Sequence, residues 1–265
     1  MMDLYQIIIS LFICIIESIS ELLPISSTGH VIILSHWFKI QNHYTKNLLI
    51  FMQLGSTLAL YCFFHQKLLK ILNIRSTYIQ KTKKISHILC AICPTIFLGL
   101  ICYNQIKTMS NIYTVMYGLI FGGIVLILSE ILKPKTYTTY HIHDISLSQS
   151  IIIGLFQTVA LFPGISRSGM TISGGMLSGI KKSVAIDFSF IISIPLLLGV
   201  SLFDLIKNFN IIRIVDLPIC FMVCIIAFII SFVSMKKLFI ILKNTSMVYF
   251  GIYRFSLALG IYLNA

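Results

Sequence analysis

Charge is scarce in this sequence, and acidic charge is the scarcest: 11% of its 265 residues are charged, and only 8 are Asp or Glu. Soluble domains carry about 25% charged residues, so a water-solvated globule is excluded. A signal-peptidase site is missing too. The first apolar stretch ends in Leu23-Pro24-Ile25-Ser26-Ser27 without an A-x-A-like pattern, and glutamates interrupt it, so it is expected to remain as a membrane segment. Metal-ligand pairs at zinc spacing are also lacking. Cys90 and Cys93 form a C-x-x-C, but no second Cys or His pair at ligand spacing follows, and the 7 cysteines fall in or near apolar stretches, where packing thiols belong.

What is abundant is apolar surface. Hydrophobic residues make up 57% of the chain and the mean hydropathy is +0.96. Eight stretches near the length of a bilayer span run roughly over 4–23, 47–64, 86–103, 112–132, 147–162, 184–206, 217–235 and 247–263. The fold class expected is therefore an all-α polytopic membrane protein, a single membrane domain over 1–265 with repeat halves near 1–140 and 141–265. The net charge of +12 would point to nucleic acid in a soluble protein. In a membrane protein it reads as cytoplasmic loops that collect Lys and Arg, so no nucleic-acid partner is expected.

The first and fifth stretches are each cut by a proline, Pro24 and Pro163, followed by Gly, Ser and Thr. Broken spans at corresponding places in two halves point to a midplane binding site. A shift of 140 residues lays Ser26-Ser27-Thr28-Gly29 on Ser166-Arg167-Ser168-Gly169, a short hint of an internal repeat. If both broken stretches are re-entrant hairpins and six others cross fully, 13 of the 20 Lys and Arg fall on one side and 5 on the other, with Arg167 and Arg254 inside apolar segments. The richer side is then the cytoplasm. Eight full crossings give a less lopsided split, and only the re-entrant threading yields two oppositely oriented halves.

The polar residues inside these segments carry the chemistry. Glu17 and Glu21 lie one helical turn apart and are expected on one helix face. A charge at the bilayer centre costs ~2.5 kcal/mol or more, so two acids need partners, protons, a cation or a water-filled cavity. After Pro24, Ser26, Ser27, Thr28 and Gly29 open a helix whose N-terminus can cradle phosphate, with His30 as a candidate proton carrier or nucleophile. After Pro163, Ser166, Arg167, Ser168, Gly169 and Thr171 repeat that logic with a guanidinium suited to phosphate or to a salt bridge with Glu17 or Glu21. The two acids also make an oxygen-donor site for Mg²⁺ or Ca²⁺. Gln53 and Gln157 line a cavity or bond between helices. Gly174-Gly175 reads as packing, Asp187 and Arg254 as snorkelling or mutually paired, and His141, His143 and Asp144 as a solvated loop. These residues describe a membrane site for a phosphorylated, lipidic substrate.

The stretches E-x-x-x-E-x-L-P-I-S-S-T-G-H at 17–30 and P-G-I-S-R-S-G-x-T-I-S-G-G at 163–175 closely resemble the undecaprenyl-diphosphate phosphatase family, the bacitracin-resistance membrane phosphatases of bacterial cell-wall synthesis. The likeness extends over the chain, including Gln53-Leu54-Gly55 and Phe188-Ser189-Phe190 to Pro195. Departures are small: Ser18 and Ser20 stand where the family usually has Gly and Thr, and Asp187 where Glu is commoner. The resemblance implies hydrolysis of a polyprenyl diphosphate in the bacterial inner membrane with divalent-cation support; the re-entrant threading predicts that the first hairpin opens outward, giving a site accessible from the periplasm, and a homodimer is compatible with both. The resemblance also implies Glu17 and Glu21 as essential acids, Ser27 as attacking hydroxyl with His30 as proton partner, and Arg167 neutralising the diphosphate beside Ser166, Ser168 and Thr171. A phosphohistidine at His30 or direct attack by water is also compatible. A lipid-phosphate carrier would share the broken-helix architecture and the cradle, but has no need of a nucleophile beside paired acids.

Overall fold

The computed structural model describes residues 4–40, 42–71, 78–208 and 217–264. Among these residues eleven α-helices follow in order: α1 (Leu4–Ser20), α2 (Ser27–Trp37), α3 (Asn42–Ile71), α4 (Tyr78–Ile101), α5 (Tyr103–Thr108), α6 (Ile112–Leu132), α7 (Leu147–Val159), α8 (Arg167–Leu177), α9 (Lys182–Asn208), α10 (Leu217–Asn244) and α11 (Met247–Asn264). Each of the eight apolar stretches holds a helix. Three further helices arise because the chain restarts after each proline break, as α2 and α8, and because α5 forms between α4 and α6.

Among the described residues, four helices contain segments long and apolar enough to cross a bilayer: Asn47–Leu69, Ile112–Leu132, Lys182–Lys207 and Leu217–Asn244. Shorter apolar runs occupy Tyr5–Ser20, Ile85–Ile101 and Leu147–Val159. The chain is thus a multi-pass helical membrane protein. Arg75 and Arg213, which entered the charge comparison, lie outside the described residues.

The two proline breaks are built alike. After α1, Leu22 N donates to Ile19 O and Leu23 N to Ser20 O; after α7, Leu161 N donates to Thr158 O and Phe162 N to Val159 O. Each is a tightened last turn, and the proline that follows has no N–H with which to continue. The chain then restarts on a serine cap. Ser26 Oγ accepts from Gly29 N at 3.3 Å and Ser166 Oγ from Gly169 N at 3.2 Å. The caps differ in backbone: Ser166 is extended, whereas Ser26 is left-handed at φ 72°, a strained state for a non-glycine residue.

Lipid tails give helices no hydrophobic reason to associate, so close approach at small residues does that work. A Cβ at Gly55 would lie 2.1 Å from Cys224 O, which seats α3 on α10; one at Gly118 would lie 2.2 Å from Pro163 O, which lets the loop before α8 rest on α6. Gly174 and Gly175 face Phe156 and Ala185, in keeping with a packing role. Helices α4 and α7 pack together, as do α1 and α10, α6 and α11, and α3 and α9.

Asp187 and Arg254 do not pair with each other. Asp187, near the start of α9, meets Lys67 Nζ at 2.7 Å and Lys243 Nζ at 2.8 Å, joining the ends of α3 and α10. Arg254 sits in the middle of α11 and is 1% exposed, so it does not snorkel. Its nearest acceptors are backbone carbonyls, which no sequence pattern reveals. His141, His143 and Asp144 lie in an exposed 3-10 turn.

Candidate active site

The two proline loops meet on the wall of a cavity of about 540 Å³. Its polar end is formed by Glu21, Ser26, Ser27, Thr28, Ser166, Arg167 and Ser168; its apolar walls come from α4 and α9, through residues such as Ile96, Leu100, Leu196 and Val200. Tyr103, Ser110 and Asp204 also line it. A polar cluster beside apolar walls suits a ligand with a charged head and a hydrocarbon body.

Glu21 is the centre of the polar end. Its Oε1 accepts from Arg167 Nη2 at 2.7 Å, and its Oε2 accepts from Ser27 Oγ. One carboxylate therefore joins the first helical residue of α2 to the first helical residue of α8. Arg167 Nε and Nη1 are buried and have no hydrogen-bond partner among the described residues, so the guanidinium keeps donors beyond those spent on Glu21. Phe190 supports its face, 6.0 Å from ring centroid to Cζ.

Glu17 has a different neighbourhood. Helix α1 ends at Ser20, so Glu21 stands in the turn while Glu17 remains in the last turn of the helix. Glu17 is 1% exposed, accepts from Ser56 Oγ of α3 at 3.1 Å, and does not line the cavity. The expectation of two acids acting on one face is thus divided by depth: Arg167 pairs with Glu21, and Glu17 lies behind it.

Ser27 and His30, expected to work together, face different partners. His30 Nδ1 lies 2.8 Å from Ser26 O, and a carbonyl can only accept, so this nitrogen carries the proton. Nε2 is then the acceptor of the Tyr253 hydroxyl at 2.7 Å, with the two rings nearly parallel at 7°. His30 does not line the cavity.

The second loop is cross-braced. Ser166 Oγ and Ser168 Oγ are 3.1 Å apart, and Ser168 Oγ donates to Leu23 O of the first loop at 3.3 Å. A Cβ at Gly29 would crowd the capping Ser26 Oγ at 3.0 Å, whereas one at Gly169 would lie in ordinary contact with Ser166 Oγ at 3.4 Å. Thr171 is wholly buried and bonds Ser168 O and Ser189 Oγ, so it braces α8 on α9 and does not line the cavity. Gln53 and Gln157 both line it. Gln157 also bonds between helices, donating to Ala91 O at 3.1 Å and Thr95 Oγ1 at 3.0 Å. At the departures, Ser18 Oγ donates to Cys14 O at 2.7 Å, while Ser20 lines the cavity and donates to Glu17 O at 3.1 Å.

No group of three or more His, Cys, Asp or Glu side chains that could cage a metal occurs among the described residues. Hard cations such as Mg²⁺ are commonly held by one or two carboxylates together with substrate phosphates, and Glu21 at the cavity wall fits that lesser demand. Ser56, Tyr253 and Ser189 entered the site unannounced. Single hydroxyls in apolar helices have no local signature, and only the helix packing tells which of them face an acid, a histidine or the brace on α8.

Residues 10–260 match the family described as Bacitracin resistance protein BacA. Proteins named undecaprenyl-diphosphatase from Buchnera aphidicola subsp. Acyrthosiphon pisum, strains 5A and APS, are 55% identical over 262 residues, covering 99% of either chain. One of the same name from subsp. Schizaphis graminum, strain Sg, is 49% identical over 258 residues, 97% of this chain and 98% of its own length. The chain belongs to the bacitracin resistance protein BacA family.

Proposed function

We propose that Ser27, Glu21 and Arg167 together hydrolyse undecaprenyl diphosphate to undecaprenyl phosphate and inorganic phosphate. The chain is an undecaprenyl-diphosphatase of a bacitracin-resistance family, and the reaction recycles the lipid carrier for cell-wall synthesis. The observation that carries these roles is the single Glu21 carboxylate bonded to the Ser27 hydroxyl on one side and to the Arg167 guanidinium on the other.

Ser27 Oγ attacks the terminal phosphorus while Glu21 takes its proton. The bond from that phosphorus to the bridging oxygen breaks, and Glu21 returns the proton to the departing undecaprenyl phosphate. Water then attacks the phosphoserine, giving its proton to Glu21 and thence to Ser27 Oγ, and inorganic phosphate leaves. Direct attack by water with Glu21 as base is the same proton bookkeeping without the covalent intermediate. Phosphoryl transfer asks mainly for positioning and charge stabilisation, which the free donors of Arg167 and the N–H groups opening α2 and α8 provide. A divalent cation, Mg²⁺ or Ca²⁺, would be held by Glu21 with the substrate's own phosphate oxygens, Glu17 lying behind, and would offset the diphosphate charge. The isoprenoid chain would follow the apolar walls of α4 and α9.

Two oppositely inserted hairpins, α1–α2 and α7–α8, with six further crossings form the threading we favour. The offset that lays Ser26 on Ser166 also lays Glu17 on Gln157 and Ser27 on Arg167, and the pairing of α1 with α10 and of α4 with α7 is what an exchange of halves would require. The cavity reaches Tyr103 and Asp204, toward the end of α9 remote from the Lys67–Asp187–Lys243 cluster. With lysine-rich ends inside the cell, that opening faces the periplasm of a bacterial inner membrane. Cysteines replacing Lys39 and Lys135 should then label from opposite sides; labelling from one side rejects the threading. The activity is tested by phosphate release from a polyprenyl diphosphate in detergent, with and without chelator. Release that chelator suppresses and Mg²⁺ or Ca²⁺ restores is expected, and retained lipid binding without release would favour a carrier.

A further inference from the structure

Helix α11 touches α2 and the second loop of the site, although neither Tyr253 nor Arg254 lines the cavity. Tyr253 reaches His30, in the first turn of α2 just after the first loop; its neighbour Arg254 reaches the second loop. Arg254 is the harder to explain. It is a 1% exposed cation in an apolar helix, and among the described residues no carboxylate forms a salt bridge with it. Burying such a charge is expensive, so the contacts it makes must matter.

Two of those contacts go to α6 and the third to the chain just before α8, so the guanidinium bridges them. Arg254 Nη2 donates to Gly164 O at 2.7 Å and to Gly118 O of α6 at 2.9 Å, while Nε donates to Leu119 O at 3.2 Å. Gly164 is left-handed at φ 86°, and a Cβ there would meet Val115 O at 2.4 Å. Gly122 opens the slot for the guanidinium, since a Cβ at that position would lie 2.3 Å from Nη2. The Pro163–Gly164 elbow is therefore pressed on α6 and pinned by a planar fork that a lysine ammonium cannot reproduce. Arg167 follows three residues later.

We propose that Arg254 is a positioning residue: it fixes the Pro163–Gly164 elbow so that Arg167, opening α8, is delivered to Glu21 and to the substrate's phosphates. The proposal rests on the phosphatase reading of the site. Its test is a double-mutant cycle of Arg254→Lys with Arg167→Ala, read by phosphate release from a polyprenyl diphosphate and by binding of inorganic pyrophosphate. Misplacement of a distant support by about 1 Å can cost ~100-fold, so Arg254→Lys should weaken both readouts by ~10- to 100-fold when Arg167 is present. With Arg167 already removed, it should change either by no more than about 3-fold, because residues acting as a unit are non-additive. Equal losses in both backgrounds overturn the proposal. Gly122→Ala, which crowds the guanidinium and leaves its donors in place, repeats the cycle if the lysine variant is not recovered. Failure of both variants to fold also overturns it, since Arg254 would then serve the fold alone. The pyrophosphate arm judges Arg254 even if the chain releases no phosphate, a result that would count against the phosphatase reading instead.

Discussion

Glu21→Gln is nearly isosteric, yet the hydrogen bonding around Glu21 makes its effect specific. The carboxylate accepts twice, from Arg167 and from Ser27. An amide can accept on one side only. Turning its NH₂ toward a guanidinium would oppose donor to donor, so the amide oxygen stays with Arg167 and the NH₂ faces Ser27. Ser27 must then accept where it had donated, which occupies one of its two lone pairs and leaves its proton with no base. Loss of a general base costs ~10²- to 10⁴-fold, or ~2.7–5.4 kcal/mol of barrier at 1.36 kcal/mol per decade. Stability should fall less. Replacing a hydrogen bond to a charged group by a neutral one costs ~1–2 kcal/mol net, and the two side chains, 13% and 14% exposed, border a cavity. The assay is phosphate release by protein reconstituted in lipid, with thermal unfolding measured on the same preparation. A folded Glu21→Gln protein less than about tenfold slower than the parent, below the smallest loss expected of a missing base, would refute the proton-transfer role of Glu21.

Other perturbations separate the remaining contacts. Tyr253→Phe keeps the ring stack and removes the hydroxyl on His30 Nε2; because His30 lies off the cavity, phosphate release should drop by less than about tenfold, far short of the loss at Glu21, and a loss as large as that of Glu21→Gln would return His30 to proton transfer. Gly118→Ala places a methyl 2.2 Å from Pro163 O, so the melting temperature and activity should fall together, by an overpacking cost of ~1–3 kcal/mol; unchanged melting would disprove the close approach of α6 to the loop. Asp187→Asn removes the acid shared by Lys67 and Lys243; with both lysines partly solvated, the loss should stay within ~1 kcal/mol and shrink as salt is added, as melting curves at two ionic strengths would reveal.

Much of this site was legible from residues 17–30 and 163–175 because its parts are local. Prolines that stop helices, serines that cap the next ones and an arginine in an apolar segment each have a short-range cause. What escaped depended on neighbours distant in the chain. A spacing of four put Glu17 and Glu21 on one face, but the turn beginning after Ser20 separates them in depth, and which acid meets Arg167 depends on how α8 docks. The partner of His30 was hidden in the register of α11, 223 residues away. Arg254 looked like a snorkelling end residue because its acceptors are backbone carbonyls, which every residue possesses alike.

The ion pair between Glu21 and Arg167 has one more consequence. Before lipid arrives, one nitrogen of the guanidinium is already held by an anion of the protein itself, while Nε and Nη1 remain unspent among the described residues. On the proposed phosphatase reading, a phosphate would meet an arginine that is anchored in place and still has donors to give. The carboxylate that anchors it would at the same time repel a second anion, so the pair would hold a diphosphate without gripping the smaller product as firmly.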